Sequence, residues 1–116
     1  MEYIDPIPHV VALLKNAGIT VYGNAFQPNP VLPAVLVRVA GGTGYTRLQL
    51  ISRAEADYEA MANLITAMNY LERNAQFIQG IRVLWIEKEM NPTPSIDTDT
   101  GKPEAWAYLR LEHLEA

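Results

Sequence analysis

Residues 45–74, YTRLQLISRAEADYEAMANLITAMNYLERN, carry the reading that decides the fold. Over Tyr45–Ile51 the apolar and polar residues alternate. Thr46, Leu48 and Leu50 fall on one face and Tyr45, Arg47 and Gln49 on the other, the period of a half-buried strand. From Ser52 the period lengthens. Tyr58, Met61, Leu64, Ile65, Met68 and Leu71 recur at helical spacing, and Ala54, Ala56, Ala60, Ala62 and Ala67 raise helix propensity. Ser52-Arg53-Ala54-Glu55 has the form of a capping box, with Ser and Glu satisfying each other's free amides, so the helix is expected over about Arg53 to Asn74. A strand running straight into a long helix predicts a helix laid on one face of a sheet.

Upstream, Ala34–Ala40 is a second strand, with Val35, Val37 and Val39 on one side, joined to Tyr45–Ile51 through Gly41-Gly42-Thr43-Gly44 as a hairpin. Between Asn24 and Pro33 the residues Asn24, Pro28, Asn29, Pro30 and Pro33 exclude both helix and central strand. Before this loop, Ile19–Tyr22 reads as a short strand. Asp5-Pro6 opens a first helix that carries Ile7, Val10, Leu13, Leu14 and Ala17 and stops at Gly18. Downstream of Gly80, Ile81–Met90 is a strand, apolar on both faces at first and charged at its end. Asn91 to Pro103 is a polar turn region. Glu104–Leu114 returns with Leu109 and Leu111 on one face and Trp106, Tyr108 and Arg110 on the other. The expected fold is therefore α+β: an antiparallel or mixed β-sheet packed by one long and one short helix, order α-β-β-β-α-β-β, with a projecting C-terminal hairpin. No linker divides residues 1–116, which read as one domain.

Composition narrows the function classes. With 49% hydrophobic and 19% charged residues, the chain can build a core and is not a disordered tail. Absence of cysteine excludes disulfides, thiolate nucleophiles and cysteine-ligated zinc. The net charge is −4 and the nine Lys and Arg are scattered, so the sequence has no footprint for sequence-specific nucleic-acid binding. It shows neither a signal peptide nor an apolar run long enough for a membrane span, and no membrane partner is expected.

Each motif that could carry chemistry has a plainer reading. Gly41-Gly42-Thr43-Gly44 joins two strands, so it lacks the helix N-terminus of a phosphate loop. Gly101-Lys102 is followed by Pro103, not Ser or Thr. Asp97-Thr98-Asp99-Thr100-Gly101 resembles the start of a calcium loop, but the closing position falls on Tyr108, which offers no carboxylate. His9 and His113 lie in opposite terminal elements and are read as structural. Glu55, Asp57 and Glu59 suit a helix N-terminus better than acid–base work. Trp85 is expected in the core, whereas Trp106 and Tyr108 divide evenly between core and contact surface. These readings predict a protein that is not an enzyme and carries no cofactor or metal.

Four features together resemble the tail terminator and neck (head–tail joining) proteins of long-tailed bacteriophages. They are the initial helix Asp5 to Ala17 with its following strand; the strand pair Val35–Val39 and Arg47–Ile51; the Ala-rich helix entry Ser52-Arg53-Ala54-Glu55-Ala56-Asp57-Tyr58-Glu59-Ala60; and the terminal turn Asp97-Thr98-Asp99-Thr100-Gly101-Lys102-Pro103. The resemblance implies a structural virion protein: a ring, usually of six copies, that terminates the tail tube and joins it to the head connector. Its partners would be copies of itself, the tail tube protein and a connector or stopper protein. It would reside in the virion neck after assembly in the host cytoplasm. On that expectation the contact residues are Gln27, Pro28, Asn29 and Pro30 in the loop and Lys88, Glu89, Asp97, Asp99, Lys102 and Trp106 along the hairpin. Two alternatives stand beside it: another neck component, such as a stopper or tail-completion factor, and a small ligand-binding or enzymatic α+β domain.

Overall fold

A computed structural model describes residues 3–114. The elements run α1 (Ile7–Asn16), β1 (Val21–Gly23), β2 (Ala34–Val39), β3 (Thr46–Arg53), α2 (Asp57–Asn74), a 3-10 turn (Ala75–Phe77), β4 (Arg82–Lys88), β5 (Thr93–Ile96) and β6 (Pro103–Leu114). The sheet order is β1-β2-β3-β6-β4, with β5 also paired to β6. Only β1–β2 is parallel, so the sheet is mixed. The α+β arrangement matches the expectation, including the short and long helices and the C-terminal hairpin. The added strand is β5, within the segment read as a polar turn. Its four residues pair with Pro103–Trp106 along the same edge of β6 that holds β4 further on.

Local chemistry accounts for α1. The Asp5 carboxylate accepts from the Ile7 amide at 3.0 Å, and Pro6 supplies a preset helical φ of −78°. At the other end Gly18 (φ +80°) reverses the chain. Its amide donates to Lys15 O and the Ile19 amide to Leu14 O, the paired bonds of a Schellman stop.

The long helix begins later than the capping box predicts. Ser52 and Arg53 stay in β3, opposite Ala105 and Glu104, and the Ala54 amide continues that ladder to Pro103 O. Ser52 is fully buried on the core face, where its hydroxyl accepts from the Asn63 side chain at 3.4 Å, and Ala56 precedes the first turn of α2. Strand pairing and burial of Ser52 and Ala54 outweigh an early helix start. Asp57 and Glu59 occupy the first turn of α2, where the macrodipole favours negative charge.

The core lies between the helices and one sheet face. Val35 and Val37 (β2), Leu48 and Leu50 (β3), and Ala105, Ala107, Leu109 and Leu111 (β6) meet Val10 and Leu14 of α1 and Ala60, Leu64, Ala67 and Leu71 of α2. Each buried Leu contributes about 1.5–3 kcal/mol over an exposed one. Two members of the expected helical stripe lie outside it. Tyr58 is 74% and Ile65 41% exposed, because α2 turns its Ala60–Ala67 face to the sheet so that it can sit close. Trp85 also departs from its core expectation, at 48% exposed. A bulge between Val83 and Trp85 shifts the β4 register, leaves Leu84 unpaired and points Trp85 outward, while Ile86 alone in this strand is buried. On β2, Val39 is half-exposed while Leu36, on the opposite face from Val35 and Val37, is buried against the loop 24–30.

Candidate functional site

Both helices pack on one side of the sheet, which leaves the other side to the alternate residues of each strand. Register places these residues in rows. Arg47 is opposite Arg110, Gln49 opposite Tyr108, Ile51 opposite Trp106, and Arg53 opposite Glu104. Arg38 and Leu36 extend the rows onto β2, with Arg38 Nε donating to Gln49 Oε1 at 2.8 Å.

Two arginines directly opposite repel. The face offsets this with carboxylates and rings. Arg47 Nε reaches Glu89 at 3.1 Å and its guanidinium lies over the Tyr108 ring at 5.4 Å. Arg110 Nη2 reaches Glu112 at 2.6 Å and its guanidinium lies over the Tyr45 ring at 3.8 Å. The hydrogen bond that Arg110 donates to Glu112 raises the Arg110 pKa above an already high value, so this cation is permanent. Trp106 meets Tyr108 edge to face at 5.4 Å between centroids. The result is a half-buried, charge-balanced surface of Arg, Tyr and Trp, the residue types that concentrate in protein interfaces.

At one end of this face the proline-rich loop and the hairpin turn border a shallow, open groove of about 460 Å³, lined by residues 24–30 with Arg38, Arg53, Asp97 and Asp99 among others. Arg53 ties its walls together. It reaches Glu104 at 2.9 Å and Asp97 at 3.4 Å, and lies 4.3 Å over the Phe26 ring. On the loop side, the Tyr22 hydroxyl accepts from the Val31 amide at 3.1 Å, and the Tyr22 ring meets Phe26 edge to face. On the hairpin side, Asp97 accepts from the Thr100 hydroxyl at 2.6 Å and from the Thr100 amide at 3.1 Å. The Thr100 hydroxyl is the main cause that holds the Asp97 carboxyl below its ordinary pKa, with the Thr100 amide and the Arg53 charge acting in the same direction against some desolvation.

Of the residues singled out from sequence, Gln27, Pro28, Asn29, Pro30, Asp97 and Asp99 line this one groove. Trp106 and Glu89 belong to the open face. Lys102 instead pairs with Glu55 near the start of α2 at 2.6 Å, and Lys88 bonds Asn91 beside α2 residues Ile65 and Glu72. Arg38, Arg47, Arg53 and Arg110 were missed as site residues. Their signal was the off-core alternation of β3 and β6, which separates faces but leaves the neighbours unspecified. Neither histidine enters this site: the His9 ring packs against Gly80, and His113 Nε2 lies 3.0 Å from Thr46 Oγ1. Among the described residues no group of three or more His, Asp or Glu gathers with metal-holding geometry.

No protein-family model matches the chain, and no curated protein is similar to it in sequence.

Proposed function

We propose that this chain is a structural ring subunit of the head–tail junction of a long-tailed bacteriophage, terminating the tail tube and joining it to the connector. The observation that supports this reading most is the sheet face left uncovered by the helices, where Trp106, Tyr108, Arg47 and Arg110 stand in paired positions next to a shallow groove. Aromatic side chains have few rotamers, and Arg47 and Arg110 are already held by Glu89 and Glu112, so little further freedom is lost on docking and such a face suits protein contact. A head-to-tail contact between two different patches closes into a ring when its rotation divides the circle. The open face with its groove supplies one such patch.

Native mass spectrometry of the purified chain tests the proposal. A closed oligomer, six copies on this reading, is the expected result, and Trp106→Ala should return it toward monomer while the chain still unfolds in one cooperative transition. A chain that stays monomeric at high concentration and fails to join tail tubes in an assembly mixture overturns it.

A further inference from the structure

Several large apolar residues stay in water at the end of the sheet away from the groove. The connection after α2, the start of β4 and the end of β6 border an open, mostly apolar cleft of about 530 Å³, with Ile81, Val83 and Leu114 in its lining. Phe77 stands between the lining residues Gln76 and Ile78 and is 62% exposed; Leu84 is 52% and Leu114 41% exposed. The β4 bulge keeps Leu84 out of the ladder, so no strand partner covers it, and Trp85 carries the apolar surface on toward the open face, opposite Glu112. Phe77 and Trp85 together expose on the order of 200 Å². The leucines enlarge this to the size class, about 300–600 Å², that marks interaction sites on monomers. The patch carries one charge, Arg82, which is exposed and pairs with no carboxylate among the described residues.

The place of this patch in the molecule says what covers it. β6 has 12 residues, about 40 Å at the rise of a strand. Of the molecular extents, 42 × 25 × 25 Å, only the first holds it. Leu114 ends this strand at the apolar patch, and Pro103 and Glu104 begin it beside Arg53 and the groove. Patch and groove therefore lie at opposite ends of the long axis. A two-fold contact joins like ends, whereas a head-to-tail contact joins unlike ones. The groove end matches the patch in chemistry. Its loop exposes Pro28 and Val31 near the Phe26 ring. Its carboxylate Asp99 is exposed and has no cation partner among the described residues, while Asp97 is held by Arg53 and Arg38 by Gln49. Proline in the loop and the bulge in β4 interrupt regular amide rows, so the two ends meet through side chains and not by strand addition.

We propose that this end of the molecule, Phe77, Leu84 and Leu114 around Arg82, docks on the groove end of a second copy, with Arg82 directed to Asp99. The inference rests on the ring reading and supplies the second patch that a head-to-tail contact needs. Each copy joins the next end to end.

The chain has no cysteine, so a cross-linking pair can be introduced without background. Leu84→Cys and Asp99→Cys in one full-length chain sit next to the Val83–His113 and Asp97–Lys102 pairs. These are roughly 36 Å apart along β6, so a short bis-maleimide cannot bridge them within one copy. A ladder of cross-linked species on a denaturing gel is expected from the double-cysteine chain and none from either single-cysteine chain. In sedimentation, Phe77→Ser with Leu84→Ser should weaken self-association about tenfold or more, as loss of apolar anchors does, while urea unfolding stays cooperative. Three results overturn this contact and leave the ring reading standing: no ladder from a chain that is oligomeric, dimers as abundant from Leu84→Cys alone as from the pair, or undiminished association of the serine variant. A natural chain that is monomeric in native mass spectrometry overturns both.

Discussion

Arg53 connects three segments that are distant in sequence. Its guanidinium touches Phe26 of the loop, Asp97 of the hairpin turn and Glu104 of β6. Arg53→Ala leaves Glu104, itself largely buried, without its partner and uncovers Phe26. Losing a partner in a half-buried pair costs about 1–3 kcal/mol, and urea unfolding should show a loss in that range. Lysine restores the charge but not the planar fork or the stacking, so Arg53→Lys should recover only part of it. Asp97 makes the same clasp sensitive to acid. Its carboxyl has a folded pKa below the ordinary value, so its contribution is fully present above the unfolded pKa of about 3.9 and is lost as pH falls through the folded one. Stability of the natural chain should therefore fall more steeply with acid below about pH 4 than that of Asp97→Asn; parallel curves from acid titration of the two would contradict this.

At the scale of elements, α2 decides which of its apolar residues matter. Leu64 is fully buried against the sheet and Ile65, its neighbour in sequence, is 41% exposed. Leu64→Ala should cost about 2–5 kcal/mol by transfer and cavity terms together. Ile65→Ala should stay within about 0.5 kcal/mol, as exposed substitutions do. Thermal melts of the two variants separate the observed helix face from the one expected from periodicity, which treats the pair as equivalent. The turn between α2 and β4 has its own constraint. Gly80 has φ +94°, and a Cβ there would run into the His9 ring of α1. Gly80→Ala is expected to lose more than about 1 kcal/mol, through both the left-handed backbone and the displaced helix contact.

At the scale of the whole molecule, the helices cover the sheet on one side only. The helices pack on Leu48, Leu50, Leu109 and Leu111, and the reverse side offers Trp106, Tyr108 and their arginines. If that side is the docking face we propose, Trp106→Ala should weaken assembly by 2 kcal/mol or more, about the size of an interface hot spot, with little change in monomer unfolding. Sedimentation across a concentration series reads the first quantity and urea unfolding the second. One edge is guarded. β4 is bulged and carries Arg82, Glu87 and Lys88, and β5 contains Pro94, so uncontrolled strand addition at this side is disfavoured.

The strand period of Tyr45–Ile51, the helical period that follows it, the proline-rich loop and the glycine stops were all legible in the sequence. They depend on local backbone preferences and on which side chains avoid water, and those are properties of neighbours along the chain. The separation of Arg47 from Leu48 and of Tyr108 from Leu109 was legible for the same reason. The tertiary structure decided the rest. Ladder pairing with β6 kept Ser52 and Arg53 in the strand and overrode a capping box whose letters were correct. A one-residue bulge sent Trp85 to solvent. Register across β3 and β6 set Arg47 beside Arg110, and brought the loop to the hairpin turn through Arg53. These outcomes follow from hydrogen bonds and contacts between residues 20 to 70 positions apart, and no local pattern encodes which distant partner a side chain will meet.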